Sequence, residues 1–459
     1  MRDKVFVSLL LTLLCFAHAG QSMVSEKWDV VVVGGEPEAI TAGIAAARCG
    51  ARTLLVTKDP IVGHTMTLAE LNFLDMNYDS KGNLLTCGLF SEWWNLLGKK
   101  SAFAPEKALA AFNRLIASEN LTVRTKTRVI SLEKDSQKLK ALVLKSADEQ
   151  VYHCRAKTVI DGTGDGNLAA MAGAGFNVGR QDLGRPDLWM APTLIFAVDG
   201  VNWARVKAYL QGQKNPSVGA NETAAWGYWE VSELYRPQDP DMYLRGLNIG
   251  RTDSDSVLVN ALLIFNVDVL DPASRQAAIA RGTAEAQRIV TYLRGNAPGF
   301  ENAVFAGAAS ELYVRESRYL QGIYCLTLED IEQERHPWDE IAVGSYPVDI
   351  QPAERGASCQ SLYDPVDGYG IPFRCLVPQA GPANLLVVGR AASYSSQAAG
   401  SARVIPIGMV VGQAAGTAAA VVSKWPLNFR EVANAPAAIR RIQNRLREQG
   451  AYLRPAPVR

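Results

Sequence analysis

Residues 29–59 read DVVVVGGEPEAITAGIAAARCGARTLLVTKD, and this stretch decides the fold. Its four consecutive valines are typical of a strand buried on both faces of a parallel sheet. A glycine pair follows, then an alanine-rich helix over about 38–49, and then a second strand over 53–57. The pattern predicts a βαβ unit at the start of a doubly wound α/β domain.

The turn in this unit matches a dinucleotide-binding fingerprint only in part. Gly34 takes the place of the first glycine, Gly35 the variable place and Ala39 the third small residue. Pro37 suits a first helical position. Glu36, however, stands where a second glycine normally lets the backbone approach a pyrophosphate, and an unpaired buried carboxylate there would be costly. The turn alone therefore leaves two interpretations open: a dinucleotide site, or a structural turn without a ligand.

The end of the second strand also departs from the fingerprint. Thr57 and Lys58 stand where an acidic residue usually binds the ribose hydroxyls. Thr57 offers one such hydrogen bond, whereas Lys58 would favour a phosphorylated ribose and hence NADP. Both alternatives stay open from these residues.

Composition narrows the class of protein. The chain has 459 residues, of which 48% are hydrophobic and 20% charged, with a formal net charge of +1. Such a chain is long enough for one large or two moderate globular domains. The near-neutral balance argues against nucleic acid as a partner, because phosphate binding needs a clustered basic excess.

The first residues differ in kind from the rest. MRDKVFVSLLLTLLCFAHAG begins with Arg2 and Lys4, continues with an apolar run over 5–16 and ends in small residues at 17 and 19. This order predicts a secretory signal peptide over 1–19, cleaved after Ala19. The apolar run is too short for a membrane anchor, so we expect no stable membrane span after cleavage. The predicted location is secreted or periplasmic.

The remaining chain divides into four segments. We predict the first part of a dinucleotide-binding domain over 27–175, with a small antiparallel sheet over about 121–156, and an inserted mixed α+β substrate or cap domain over 176–368. The first domain then resumes over 369–425, and 426–459 form a C-terminal helix and tail. In that last helix Ile439, Ile442 and Leu446 form one apolar stripe.

Separated motifs in this order resemble a known family. KTVIDGTGDG (157–166) resembles the second phosphate-side motif of two-dinucleotide-binding-domain flavoproteins, and NLLVVGRAASYSSQAAGSARVIPIGMVVGQAAGTAAA (384–420) resembles their C-terminal flavin-binding segment. RESRYLQGIYCLTLEDI (315–331), YPVDI (346–350) and YGIPFRCLVP (369–378) lie between them. The chain resembles the FAD-dependent oxidoreductase family, which also includes flavoproteins like the heterodisulfide reductase A subunit. The likeness covers nearly the whole mature chain, including LREQGAYL (446–453).

The resemblance implies FAD as the cofactor and assigns residues to it. The turn at 34–39 would lie on the pyrophosphate, Val129 would contact adenine, and Asp165 would lie on the ribityl-phosphate side. Gly389 and Arg390 would approach the diphosphate, and backbone amides of 406–409 would lie by the flavin ring, where a helix N-terminus stabilises the reduced anion. The full set of predicted cofactor residues is Gly34, Gly35, Glu36, Pro37, Glu38, Ala39, Thr57, Lys58, Thr65, Val129, Gly164, Asp165, Gly389, Arg390, Pro406, Ile407, Gly408 and Met409. We expect Glu36 to point away from the pyrophosphate, toward the N-terminal amides of its own helix.

Metal centres find no support in the sequence. The six cysteines after Cys15 form no C-x-x-C pair, so the iron–sulfur motifs of the larger relatives do not carry over. The few histidines lack metal-ligand spacing, and we predict no metal. An even number of cysteines in an exported chain permits disulfides.

Four residues are candidates for the reacting groups. His64 would be an acid or base near the flavin, although a loop histidine with solvent or backbone partners is the commoner case for such a residue. Arg318, on one face with Arg315 if the segment is helical, would hold a substrate carboxylate, unless the pair forms salt bridges instead. Arg403 lies in the segment resembling the pre-flavin loop, and Tyr346 would line the site or a domain interface.

The leading interpretation is an exported FAD-dependent oxidoreductase. It would take a hydride or electron pair from a small organic substrate and pass the electrons to an acceptor that the sequence does not identify. Two alternatives stay open: a flavin-binding lyase or isomerase without net redox chemistry, and a non-catalytic protein whose dinucleotide site has decayed.

Overall fold

A computed structural model describes residues 23–215, 217–252 and 256–454. The predicted signal peptide over 1–19 lies outside these residues. The strands are β1 Val24–Val33, β2 Thr53–Val56, β3 Leu121–Arg124, β4 Thr127–Lys134, β5 Leu139–Ser146, β6 Val151–Asp161, β7 Phe176–Val178, β8 Thr193–Asp199, β9 Gly219–Ala220, β10 Ala224–Gly227, β11 Met242–Arg251, β12 Val257–Ile264, β13 Val304–Ala308, β14 Arg318–Leu320, β15 Glu340–Gly344, β16 Asp349–Ile350, β17 Gln360–Ser361, β18 Tyr369–Pro372 and β19 Leu385–Val387.

The α-helices alternate with these strands in the first half and dominate the C-terminal end. They are α1 Pro37–Arg48, α2 His64–Thr67, α3 Leu89–Leu96, α4 Pro105–Ala117, α5 Asn167–Ala172, α6 Trp203–Gln211, α7 Trp229–Leu234, α8 Pro272–Asn296, α9 Leu328–Glu332, α10 Ala399–Ala402, α11 Ile405–Val422, α12 Phe429–Ala433 and α13 Pro436–Glu448.

The predicted βαβ unit forms the centre of the first sheet. The strand order is β3-β2-β1-β6-β5-β4, and the end of β6 also pairs with β19. Strands β1, β2, β3, β6 and β19 run parallel, whereas β4 and β5 add an antiparallel extension. The α/β fold class with a parallel sheet and a small antiparallel sheet is therefore confirmed.

The register of this sheet brings three turns to one edge. Val33 pairs with Val56 on β2 and with Asp161 on β6, and Asp161 pairs with Val387 on β19. Because parallel strands end at the same edge, the turns after β1, β2, β6 and β19 meet there. This edge is where ligands bind in doubly wound folds.

Helices α1 and α11 pack closely against each other over the sheet. A Cβ at Gly412 would overlap the carbonyl oxygen of Glu38, and one at Gly416 would overlap that of Ala42. The two glycines, one turn apart, let the helix backbones approach, and Thr41 Oγ1 donates to Met409 O at 2.8 Å. By length and composition α11 could cross a membrane, but 89% of it is buried inside the protein.

A second sheet lies within the predicted insertion. It is antiparallel, with the order β13-β8-β12-β11-β10-β9, and α8 packs against it. The domain boundaries stay predictions, although the border at 368 falls between β15 and β18, which pair with each other.

Other local predictions have mixed outcomes. The stripe on α13 is confirmed, since Ile439, Ile442 and Leu446 are fully buried. The six cysteines of the described chain are all free. Cys325 and Cys359 are exposed, whereas Cys154 and Cys375 are buried.

Candidate active site

The turn after β1 packs directly on the turn after β6. Gly34 has φ +135°, and a Cβ there would overlap the carbonyl oxygen of Gly162. The amide of Gly34 donates to Val56 O at 2.8 Å, which holds the turn to the end of β2. Ala39, the third small residue, is buried against Gly162. Glycine is therefore required at 34 by both conformation and space.

Glu36 does not cap its own helix. Its Oε2 accepts hydrogen bonds from the backbone amide and the hydroxyl of Thr65, at 3.2 and 2.6 Å. Its Oε1 accepts from Arg390 Nη1 at 3.0 Å. The helix N-terminus receives no side-chain cap, so the predicted direction toward the α1 amides is wrong. The carboxylate instead joins the loop after β2 to the turn after β19.

Arg390 connects Glu36 to a second carboxylate. Its Nη2 donates to Asp165 Oδ1 at 2.9 Å, and Asp165 also contacts Arg275 Nη2 at 2.5 Å and the Ser317 hydroxyl at 2.8 Å. Burial raises the pKa of a carboxyl, but the two guanidinium groups outweigh it and hold the pKa of Asp165 well below its usual range. Arg275 lies on α8, so this ion pair joins the second sheet's layer to the first.

A cavity of about 290 Å³ opens beside this network at the sheet edge. It runs from the turn at Gly34 along the end of β2 to β4 and α5. The predicted cofactor residues that line it are Gly34, Gly35, Glu36, Thr57, Lys58, Val129, Asp165 and Arg390. We call it the cofactor cavity.

An acidic residue lies at the end of β2 after all. Thr57 is buried with its hydroxyl facing Gly35 and hydrogen-bonded to Asp59, and both Asp59 and Lys58 line the cofactor cavity. The strand β2 ends at Val56, and Asp59 lies two residues beyond position 57, where the fingerprint places its acid. Sequence reasoning that fixed the position at Thr57 missed Asp59.

His64 is paired with this acid. Its Nδ1 lies 2.9 Å from Asp59 Oδ2, and the ring lines the cofactor cavity. Burial disfavours the imidazolium, but the negative charges of Glu36 and Asp59 prevail and raise the pKa of His64. Its role as an acid or base toward the flavin stays a prediction; its position is among the groups of the cofactor turn.

Glu38 differs from Glu36, although both are buried. Burial and the charge of Glu36 raise the pKa of Glu38 to about 7. Burial also opposes ionisation of Glu36, but His64 and Arg390 outweigh it and lower the pKa of that carboxyl. One glutamate of the turn is thus an ion-pair partner and the other is half protonated near neutral pH.

A narrow cavity of about 20 Å³ shares Arg390 as a lining residue with the cofactor cavity. Pro37, Glu38 and Thr65 line one side. Ile405, the first residue of α11, lines the other side.

The α11 amides that face this cavity differ from those predicted. Pro406 has no N–H, and the Gly408 amide is bonded to Val404 O at 2.9 Å. The first amides of a helix are the ones without intrahelical acceptors, so Ile405 and Ile407 have the free N–H groups. Gly408 and Met409 lie further into the helix, and the contact of 406–409 with the flavin ring stays a prediction.

A third, polar cavity of about 140 Å³ adjoins the narrow one. Tyr313, Arg315 and Arg403 line both. The side chains that line the polar cavity are Leu71, Phe73, Asp75, Arg245, Asn248, Asn260, Tyr313, Arg315, Tyr346, Asp349, Gln351 and Arg403. Two predicted catalytic residues, Tyr346 and Arg403, therefore meet here.

Arg318 is not among them. The segment around it is not helical, and β14 begins at Arg318. Its Nη1 donates to Asp165 O at 3.3 Å and to Asn167 Oδ1 at 2.9 Å, whereas Arg315 reaches into the polar cavity. The prediction that these two arginines share a face and hold one carboxylate is wrong, because an extended backbone turns them apart.

Sequence reasoning also missed residues from the second sheet. Arg245 lies on β11, Asn260 on β12, and Asp75 in an irregular segment, and none carries a motif. Burial and the nearby charge of Asp349 raise the pKa of Asp75 to about 6, although Arg403 opposes this shift. Only the packing of irregular segments against the second sheet brings these groups together.

Comparison with known proteins identifies the family. The sequence profile of the family described as FAD dependent oxidoreductase matches residues 29–446.

The chain belongs to the FAD-dependent oxidoreductase family. It is an enzyme of this family, and its cofactor is FAD. The alternative of a decayed dinucleotide site is thereby set aside.

The cofactor cavity accommodates this cofactor on its own geometry. Two residues without side chains, Gly34 and Gly35, form part of its wall, where backbone can approach a bound group. The Nε atom of Arg390 is buried without a hydrogen-bond partner beside both the cofactor and the narrow cavities, so a donor is left over for an oxygen of the bound group. Gly34, Gly35, Arg390 and the Asp59 region would hold the dinucleotide, and bound FAD supplies two-electron acceptance.

Solved structures with a similar overall shape are flavoproteins and related enzymes. A geranylgeranyl bacteriochlorophyll reductase-like protein from Thermoplasma acidophilum is 13% identical with a TM-score of 0.44, over 93% of this chain and 85% of that one. The flavin-dependent brominase Bmp2 is 12% identical with a TM-score of 0.45, over 89% and 84%. p-Nitrophenol 4-monooxygenase PnpA from Pseudomonas putida DLL-E4 is 10% identical with a TM-score of 0.45, over 93% and 89%. At these scores the likeness does not bear on substrate or reaction. Comparison with curated protein sequences found no match.

No group of three or more histidine, cysteine or carboxylate side chains is placed to hold a metal ion within the residues that the structure describes.

Proposed function

We propose that the protein is an exported FAD-dependent oxidoreductase that oxidises a small organic substrate seated in the polar cavity. The substrate gives up a hydride or electron pair to FAD, and a separate electron acceptor completes the turnover.

The residues shared between neighbouring cavities carry this proposal. Arg390 lines both the cofactor cavity and the narrow cavity, and Arg315 and Arg403 line both the narrow and the polar cavities. A dinucleotide anchored at Gly34 that extends inward would therefore end against the polar cavity. Concave sites with a few convergent polar groups are where small substrates bind.

Asp75 is the group in the polar cavity best suited to take up a proton. Its pKa of about 6 makes it mostly ionised at neutral pH, yet close enough to neutrality to receive a proton from a substrate O–H or N–H. Tyr346 lies against it as a hydrogen-bond donor that favours the ionised form. In the proposed oxidation the carbon–hydrogen electron pair leaves toward FAD while this proton moves to the Asp75 carboxylate.

Anaerobic reduction of the bound flavin tests the redox part. We expect purified protein to show the visible flavin absorption, and a screen of small acids, alcohols and amines to find a compound that bleaches it. Asp75→Asn should slow that bleaching by about 10²–10⁴-fold with unchanged flavin content. Asp148→Asn, in the exposed turn between β5 and β6, is the matched control and should leave the rate unchanged.

The competing non-redox class predicts a different result. A lyase or isomerase would convert its substrate with no change in flavin absorption under anaerobic conditions. Turnover of a screened compound without any bleaching would overturn the proposed oxidation and support that class.

Export is supported by the charged start, short apolar run and small residues of 1–19. We expect cell fractionation to find a mature chain that begins after Ala19 outside the cytosol. Recovery of the uncut precursor in the cytosol would contradict export without affecting the redox proposal.

A further inference from the structure

The arginines of the polar cavity have buried donors with no acceptor. Four buried side-chain nitrogen or oxygen atoms in the described chain lack a hydrogen-bond partner, and three of them are arginine Nε atoms, of Arg245, Arg390 and Arg403. Arg245 and Arg403 line the polar cavity. Buried donors without partners are rare in folded proteins, so each needs an explanation.

The contacts that these arginines do make are mostly with neutral oxygens. Arg245 Nη2 donates to Asn260 O at 3.2 Å. Arg315 donates to Ala191 O at 3.2 Å and to the Thr193 hydroxyl at 2.6 Å. These bonds orient the guanidinium groups but leave their charge uncompensated.

Arg403 is the one with a carboxylate in reach. Its Nη1 donates to the Tyr313 hydroxyl at 2.9 Å, and its Nη2 lies 3.6 Å from Asp349 Oδ2. Asp349 in turn accepts two hydrogen bonds from Gln351 Nε2, each at 2.8 Å. The side chain of Arg403 is only 3% exposed, so water screens the positive charge of its guanidinium group very little.

Positive charge is therefore crowded in this cavity. Three guanidinium groups face two carboxylates, Asp75 and Asp349, of which Asp75 is easily protonated. Burial and the neighbouring charges of Arg245 and Arg403 lower the pKa of Arg315 to about 10, although Tyr313 opposes the shift. An anion between the arginines would relieve this repulsion.

The size and donor geometry of the cavity favour a carboxylate. At about 140 Å³ the cavity holds roughly four to five water volumes of about 30 Å³ each, which limits the ligand to a small molecule. Guanidinium groups present paired N–H donors that match the two oxygens of a carboxylate. Asn248, Asn260 and Gln351 add neutral polar groups for a hydroxyl or carbonyl elsewhere on the molecule.

We propose that the polar cavity is a carboxylate-binding site, in which Arg245, Arg315 and Arg403 hold a small organic acid beside the narrow cavity. The inference names the substrate class of the proposed oxidoreductase and rests on that function for the fate of the acid. Binding of the carboxylate itself does not depend on any redox step.

Calorimetric titration of the FAD-loaded protein tests the site. The probe is methoxyacetate, a small acid without an oxidisable alcohol, and 2-methoxyacetamide is its neutral counterpart. We expect methoxyacetate to bind at least about tenfold more tightly than the amide, and to perturb the visible absorption of the bound flavin. Arg245→Gln should weaken methoxyacetate binding by at least about tenfold, since one charged hydrogen-bond pair contributes on that scale. Arg205→Gln, on the exposed face of α6, is the matched control and should have no effect.

Several outcomes would overturn the proposal. Equal affinity for the acid and the amide in the wild-type protein would do so without any variant, which keeps the test decisive if Arg245→Gln fails to fold. Sulfate binding as tightly as methoxyacetate would show a general anion site rather than a carboxylate site. Unchanged acid binding in a folded, flavin-containing Arg245→Gln protein would also contradict it.

The titration and the anaerobic flavin-reduction screen together separate this inference from the proposed function. Arginine-dependent binding of methoxyacetate with no compound able to reduce the flavin would leave the carboxylate site standing and remove the oxidation. Flavin reduction by neutral alcohols or amines without carboxylate binding would leave the oxidation standing and remove the carboxylate site.

Discussion

The cofactor cavity and the polar cavity are both lined by buried arginines, but the two differ in how the charge of those arginines is neutralised. In the cofactor cavity Arg390 is shared between Glu36 and Asp165, and Arg275 contacts Asp165. His64 pairs with Asp59. Each of these three groups has a carboxylate at hydrogen-bond distance.

In the polar cavity the balance is different. Arg245 and Arg315 hydrogen-bond to neutral oxygens, and Arg403 is 3.6 Å from its carboxylate, beyond hydrogen-bond distance. The difference indicates that the first network is complete as a structural unit around the cofactor turn, whereas the second is complete only with a ligand. Removing an arginine should therefore destabilise the protein more in the first region than in the second.

The largest expected effect comes from Arg390→Met. The change leaves Glu36 without its guanidinium partner and removes one of two from Asp165, and breaking a buried ion pair in this way costs about 3–5 kcal/mol. We expect a loss of that size in urea unfolding, together with loss of bound FAD. Arg318→Met, which removes an arginine that contacts only the Asp165 backbone and Asn167, should cost about 1 kcal/mol or less. Similar losses for both variants would contradict a paired network centred on Arg390.

The second largest effect is a difference between the two glutamates of the cofactor turn in how the free energy of unfolding depends on pH. The folded-state pKa of Glu38 is raised to about 7, so its contribution to stability is present below its unfolded value and is lost as pH rises through 7. Glu38→Gln should therefore match the wild type at pH 5 and exceed its free energy of unfolding by about 1–3 kcal/mol at pH 8.

For Glu36→Gln the difference in free energy of unfolding from the wild type should have the opposite sign at high pH. The pKa of Glu36 is lowered in the folded state, so its contribution is present above the unfolded value and is lost as pH falls. We expect this variant to be less stable than the wild type at pH 8, with the difference shrinking toward pH 4. Parallel pH profiles for the two variants would show that the turn does not distinguish its carboxylates.

A smaller effect is expected for Arg315→Met in the polar cavity. The substitution loses the bonds to Ala191 and Thr193 but also removes a desolvated charge crowded by two other arginines. Replacing such a group by an apolar side chain of similar length is often neutral, so we expect a change within about 1 kcal/mol in urea unfolding and unchanged FAD content. A loss as large as that of Arg390→Met would show that the arginines of this cavity are structural.

The smallest effect is the pH dependence of anion binding. Asp75 faces Arg245, Arg403, Asp349 and Tyr346, and its pKa of about 6 means that it loses its charge as pH falls from 7.5 to 5.5. We expect methoxyacetate affinity to rise about threefold over this interval, because one repelling carboxylate is partly removed. Calorimetry of Asp75→Asn should show a flat profile; a wild type whose affinity falls toward pH 5.5 would contradict the assigned repulsion.

Much of the fold could be predicted because the relevant signals are local. Four valines, a glycine pair and an alanine-rich helix specify the βαβ unit, and β1, α1 and β2 lie within a few residues of their predicted bounds, although β1 begins earlier, at Val24. The stripe on α13 also follows from periodicity alone. In each case the pattern recurs within one element, so no distant contact is needed to see it.

The site could be predicted only where a motif marks it. Gly34, Asp165 and Arg390 lie in motifs that the sequence displays, and all three meet at the cofactor turn. Arg245 and Asp75 carry no motif, and Arg318 was chosen by a helical spacing that the extended chain does not have. Asp59 was missed because it lies two residues beyond the fingerprint position, and only the fold shows that it lines the cofactor cavity.

The sequence by itself determined the parallel sheet, the family and the cofactor, because these depend on short segments whose chemistry is readable in order along the chain. It also posed the problem of Glu36, whose charge at a dinucleotide turn looked unfavourable. Only the tertiary structure decided that Glu36 is held by Thr65 and by Arg390, which lies 354 residues further along the chain. The same is true of the polar cavity, because a cluster of buried charges depends on distances between side chains that are far apart in the sequence, and no local pattern encodes those distances.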